Sequence, residues 1–210
     1  MTPRTYRSNV RAQAARSTRE AILRSARTLF AEQGYARTSV AAIAEHAGVA
    51  LNTVYTSVGA KPALIRALAE EGSSDTVIES ALDRIDAETD GAAILLIAAT
   101  STAQVTREHA DMLEVLLDNR TSEPAVDAVA SEAIELYRAR LARIGQRLET
   151  IGVLRDDLDA TQAADVLWFY FGTSAWTTAR ELGWDWERAT TWLHAQAVNA
   201  LLSPGHLMDC

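Results

Sequence analysis

Apolar residues recur every three or four positions through almost the whole chain, and few stretches show the two-residue alternation of a strand. Ile22, Ala26, Leu29 and Phe30 mark one face of a first helix, with Gly34 placed as its left-handed stop. Ser17-Thr18-Arg19-Glu20 has capping-box spacing, a hydroxyl three residues ahead of a carboxylate that can reach back, and so predicts a helix start at Ser17. Residues 1–16 carry no such period and read as a flexible basic arm. Two short helices follow, at about 39–46 with Thr38 as N-cap and at about 51–57, joined by the turn Ala47-Gly48-Val49. A longer helix begins at Ala60, tolerates Pro62 in its first turn, and meets Gly72-Ser73-Ser74 as a break. Beyond it the pattern predicts helices at about 77–87, 92–106, 109–119, 125–151, 159–182 and 186–202, punctuated by Gly91, Pro124, Gly152 and Gly183-Trp184-Asp185. The predicted fold class is all-α: an arm at 1–16, a three-helix domain with a helix-turn-helix at 17–60, and a larger helical domain at 61–210.

The charge distribution changes that picture. The chain holds 20 basic and 28 acidic residues, a formal charge of -8, yet residues 1–61 hold nine bases against three acids. The remaining residues therefore hold 11 bases against 25 acids. A basic head on an acidic body is the electrostatic footprint of a chain that presents one end to a polyanion. The arm shares that charge and is open to two readings, a phosphate contact or a solvated tail. The only cysteine is the last residue, Cys210, which excludes an internal disulfide and a thiolate metal cluster and fits a reducing cytoplasm. The longest apolar run, Ala92 to Ala99, stops at Thr100-Ser101-Thr102, well short of the ~18 residues of a membrane span, and the opening residues lack the apolar stretch of a secretory signal.

Two short helices crossing at a sharp angle need a small residue at their closest approach, a sterically free turn residue and an apolar anchor on the second helix. Ala44, Gly48 and Val54 supply these in order, leaving Asn52, Thr53 and Tyr55 to face outward. With the basic flank, this constellation points to DNA. The stretch Ala21 to Leu68 closely resembles the DNA-binding region of the tetracycline-repressor (TetR) family. The matching residues are Ala26-Arg27-Thr28-Leu29-Phe30, Gly34-Tyr35, Thr38-Ser39-Val40, Ile43-Ala44-Glu45-His46-Ala47-Gly48-Val49, Thr53-Val54-Tyr55 and Lys61-Pro62-Ala63-Leu64. Members commonly carry a polar cap where this chain has Ala50, a small polar residue or Gly at Asn52, and an aromatic at Val58.

The resemblance implies a role for each matching position. Thr38 and Ser39 should bind phosphate together with the first amides of their helix, and Tyr55 and Lys61 resemble the family's phosphate-contacting tyrosine and lysine. Asn52 and Thr53 are the candidates for base edges, and Leu51, which has no donor, suits a thymine methyl. It also implies a homodimer paired through the last two helices, which with the turn between them hold all five tryptophans, and a small-molecule effector enclosed by the middle helices. Met112, Val115, Leu116 and Asn119 lie on one side of a helix, and Tyr137, Leu141 and Trp168 are candidates to join them around that ligand. The function so implied is that of a regulator, a repressor released from a palindromic double-stranded operator.

An enzyme finds no support in the motifs: there is no phosphate-binding Gly-rich loop, GxSxG elbow or HExxH pair. His46, His109, His194 and His206 lack metal-ligand spacing, and no cofactor is implied. Asp156-Asp157-Leu158-Asp159 reads as a turn and N-cap rather than a calcium loop. The other reading is an all-helical ligand-binding or interaction protein that makes no use of DNA.

Overall fold

A computed structural model describes residues 3–74 and 76–203, so Cys210 and His206 lie outside the described residues. Among those described there are eleven α-helices: α1 (Pro3–Gln33), α2 (Val40–His46), α3 (Leu51–Ser57), α4 (Lys61–Ser73), α5 (Thr76–Ala87), α6 (Gly91–Glu108), α7 (Ala110–Asn119), α8 (Pro124–Thr150), α9 (Ala160–Phe171), α10 (Thr173–Glu181) and α11 (Trp186–Leu201). The fold is all-α, and the extended pairing found is the isolated antiparallel bridge between Leu154 and Leu202.

Two boundaries differ from the sequence expectation. The first helix does not start at Ser17. It is continuous from Pro3 through the stretch expected as a flexible arm, and the Thr18 hydroxyl donates 2.9 Å back to the Ala14 carbonyl instead of capping. The run Arg11 to Arg16 consists of Arg, Ala and Gln, strong helix formers. Residues 11–17 are also exposed, so no apolar period was there to reveal the helix. The second difference is that the helix expected at 159–182 is two. The Ala175 amide bonds the Gly172 carbonyl at 3.0 Å. The Phe171 carbonyl accepts instead from the Tyr137 hydroxyl at 2.8 Å and the Trp176 indole N–H at 2.9 Å. Side chains have taken a backbone acceptor, and the helix breaks there.

The chain divides into two compact units, one formed by residues up to Gly72 together with Ala110–Ala133, the other by Ser73–His109 together with the residues from Ile134 onward. In the first, Ile22, Ala26 and Phe30 of α1 pack in one cluster with Ile43 of α2, Val54 of α3, Leu64 and Ile65 of α4, Val115 of α7 and Val126 of α8. A bidentate pair reinforces it: the Arg27 Nε and Nη2 each lie 2.6 Å from an Asp111 carboxylate oxygen, joining α1 to α7.

In the second unit, α5, α6, the later part of α8, α9, α10 and α11 share a core that includes Ile85, Leu95, Leu148, Leu167, Trp176 and Leu193. Helices α8 and α9 meet so closely that a Cβ at Gly145 would overlap the Ala160 carbonyl oxygen. The junction is also wired by hydrogen bonds. Glu149 accepts from the Ala160 amide at 3.0 Å, and Asp159 and Gln162 form a reciprocal capping box. The acidic run before Ala160 is thus a turn and N-cap, as its composition indicated.

Candidate nucleic-acid interface

Helices α2 and α3 occupy the two short segments expected of them, joined at Gly48, whose φ of 67° lies in the left-handed region. Ala44 is buried where the helices meet, and Val54 is the fully buried anchor of α3. Anchoring at Val54 turns the opposite side of α3 to solvent: Leu51, Asn52 and Tyr55 are exposed, while Thr53 is half-buried. The helix therefore presents an apolar group, an amide and a phenol on one accessible ridge.

The start of α2 is organised differently from the expectation. Ser39 is the N-cap, its Oγ accepting from the Ala42 amide at 3.1 Å. Thr38 is only 2% exposed. Its hydroxyl donates to the carbonyls of Leu29 at 3.1 Å and Gly34 at 2.9 Å, and its amide donates to Tyr35. Thr38 therefore ties the end of α1 to the start of α2, and the accessible hydroxyl at this corner is that of Ser39.

Lys61 opens α4. Its ammonium lies 4.2 Å above the centre of the Tyr35 ring and donates 3.2 Å to the Ala36 carbonyl. Partial burial lowers its pKa, opposed by the field of Glu123, and burial raises that of the Tyr35 phenol. Three further bases of the head are engaged by acceptors of the chain itself. Arg27 pairs with Asp111, Arg37 donates to the Gln33 carbonyl at 2.6 Å, and Arg19 donates to the Ser57 carbonyl at 3.1 Å. Sequence reasoning counted these only in the net charge of the head and missed their partners, because a backbone carbonyl or a distant helix leaves no mark in the charge pattern.

The residues expected around a ligand do not come together in one cluster. Met112, Val115 and Leu116 are buried in the core of the first unit, and the Asn119 amide donates to the Val115 carbonyl of its own helix at 2.8 Å. Tyr137, Leu141 and Trp168 belong to the second unit, where the Tyr137 and Trp168 rings lie 5.7 Å apart and burial pushes the Tyr137 phenol pKa far up. Helix α7 spends its apolar face on the core that it shares with α1. His109 ends α6 as its C-cap.

A buried-anchor helix-turn-helix with an exposed ridge, joined to a second helical unit, defines a helix-turn-helix protein. A family model for bacterial regulatory proteins, tetR family, matches residues 22–68. No sequence among the curated proteins matches this chain. Solved structures do. SmeT, the repressor of the Stenotrophomonas maltophilia efflux pump SmeDEF, in a complex with triclosan, has a TM-score of 0.76 and 21% identity, covering 90% of this chain and 94% of that one. FadR from Bacillus subtilis, in complex with stearoyl-CoA, has a TM-score of 0.72 and 19% identity over 86% of this chain and 98% of that one. GusR from Salmonella enterica has a TM-score of 0.66 and 25% identity over 88% of this chain and 95% of that one. Residues 22–68 are thus similar to bacterial regulatory proteins of the tetR family, and the chain shares its fold with these solved structures.

Among the described residues no helix is long and apolar enough to cross a membrane, and no cluster of three or more acidic, histidine or cysteine side chains is placed to hold a metal ion.

Proposed function

We propose that the protein is a cytoplasmic, dimeric repressor that binds a palindromic DNA operator through 17–60 and is released by a small-molecule effector bound within 61–210. The observation that carries the reading is the ridge of α3, where Leu51, Asn52 and Tyr55 stand exposed over the buried Val54. In this reading Asn52 and Thr53 address base edges, Leu51 meets a thymine methyl, and Ser39, Tyr55 and Lys61 contact phosphate. Lys61 reaches phosphate by leaving the Ala36 carbonyl and keeping its place over Tyr35. Thr38 supports the corner from beneath.

For the effector, Tyr137, Leu141 and Trp168 are the candidates of the second unit, and Met112, Val115, Leu116 and Asn119 those carried by α7. The complexes of SmeT with triclosan and of FadR with stearoyl-CoA support the reading that this chain takes an effector. The proposed dimer pairs α9, α10 and α11 with their copies, because Phe169 and Trp192 are large apolar side chains left 74% and 46% exposed there.

Capturing genomic fragments on the purified protein tests the proposal. The expected result is a shared motif with two-fold symmetry and half-sites about 34–36 Å apart or a multiple of that spacing. Recovery of random fragments with no common motif would leave the ligand-binding or interaction reading in its place.

A further inference from the structure

The geometry points to Arg19 of α1 as a positioning residue that sets the orientation of α3 through the Ser57 carbonyl, without itself contacting phosphate. The inference rests on the DNA-binding reading above and adds to it a residue that controls base discrimination from outside the contact surface.

Helix α3 has little to hold it by itself. It is seven residues long, and its N-cap, Ala50, makes no side-chain hydrogen bond. Helices this short are marginal in isolation, so tertiary contacts must fix its direction. Val54 is its one fully buried residue, and Val58, just past its end, is only partly buried against the same core. Past the C-terminal end, the amides of Val58 and Gly59 both donate to the Val54 carbonyl, at 2.9 and 3.1 Å, and so do not serve the later carbonyls of α3. The last carbonyls of a helix have no following helical amide. At Ser57, the last residue of α3, that acceptor is taken by the Arg19 guanidinium at 3.1 Å. A cation at a helix C-terminus also meets the negative end of its dipole.

The contact lies one turn beyond Val54 and adds a directional polar tether at the end of α3 to its apolar packing. Arg19 is itself rigidly based, since α1 continues from it directly into the buried Ile22, Leu23 and Ala26. The exposed ridge inherits that orientation, and hydrogen bonds to base edges depend on direction more strongly than contacts between charges do.

The test compares the wild-type full chain with Arg19→Met, which keeps the stem and removes both charge and donors. Affinity for the selected operator and for unrelated duplex is measured across a salt series. If Arg19 positions α3, the ratio of operator to unrelated affinity falls by about tenfold per half-site, while the slope of log affinity against log salt is unchanged. If Arg19 is a phosphate contact, the slope falls by about 0.9 for each protomer and the ratio is kept; that result overturns the inference, as does no change in either quantity. Should Arg19→Met fail to fold, Arg19→Gln separates the same outcomes, since it removes the charge and its amide sits on a stem too short for the reach to the Ser57 carbonyl. Discrimination lost at an unchanged slope supports positioning, and a reduced slope, or no change in either quantity, defeats it. Wild-type protein that selects no operator would defeat the DNA-binding reading itself, whereas a normal operator with an indifferent Arg19 would defeat this inference alone.

Discussion

Asn52 stands on the exposed ridge of α3 with its amide directed by a helix that Val54 anchors. Replacing it with Ala should relax the preference at one position of each half-site, at a cost of about 1–3 kcal/mol where its contact is bidentate. Competition binding with single-base operator variants measures this; a uniform loss across all sequences would mark Asn52 as a phosphate contact instead. A second single-residue effect concerns acid stability. The Arg27 hydrogen bonds hold the Asp111 carboxyl below its ordinary value, against an opposing effect of burial. A lowered folded-state pKa contributes stability that is present above the unfolded value near 4 and is lost as pH falls through the folded value. With side chains 34% and 37% exposed, the pair is screened by solvent and contributes about 1 kcal/mol. Asp111→Asn should lower the unfolding temperature at neutral pH and flatten its decline below pH 4. Parallel curves for the two proteins across that range would show the pair contributes nothing.

At the scale of elements, the crossing of α8 and α9 depends on the missing side chain at Gly145. The atom that a Cβ would meet is the Ala160 backbone carbonyl oxygen, which cannot swing aside as a side-chain tip can. Gly145→Ala should therefore destabilise the protein by about 1–3 kcal/mol, although Ala is the better helix former by up to about 1 kcal/mol. Urea unfolding decides it, and a variant as stable as the wild type would show that the two helices can part without cost. A pattern reading passes over this glycine, since a lone Gly in a helix looks tolerated. The break at Phe171 was equally illegible, because the groups that claim its carbonyl come from 34 and 5 residues away.

For the whole molecule, the charge asymmetry predicts DNA affinity that falls steeply with salt, by roughly 0.9 log units per log unit of salt for each phosphate neutralised. Arg19, Arg27 and Arg37 already have acceptors within the protein, so the slope should fall short of what nine bases per protomer would produce. A titration from low to physiological salt that stays flat would contradict the role given to the basic head. The exposed Phe169 and Trp192 predict a second behaviour: substituting Glu at either should convert the proposed dimer to a monomer in sedimentation and reduce operator affinity, since one head reads only a half-site. Unaltered sedimentation would place the dimer contact elsewhere.

Apart from the start of α1 and the break at Phe171, the helix boundaries were legible in the sequence, as were the helix-turn-helix and its family likeness, because they rest on local rules: the 3.6-residue period, side chains that cap or stop a helix, and a small-residue turn. The inward Val54 and outward Asn52 and Tyr55 follow from the same period. Which aromatics of the last helices are core and which are exposed did not follow. Trp176 is fully buried while Trp192 is half exposed, and both sit in helices of similar composition. Nor could a local pattern show that α7 packs on α1, that Thr38 turns inward while Ser39 caps, or that Arg19 reaches the end of α3. Each of those depends on two segments meeting after the chain has folded, and the free energy of that meeting belongs to the pair rather than to either stretch of sequence.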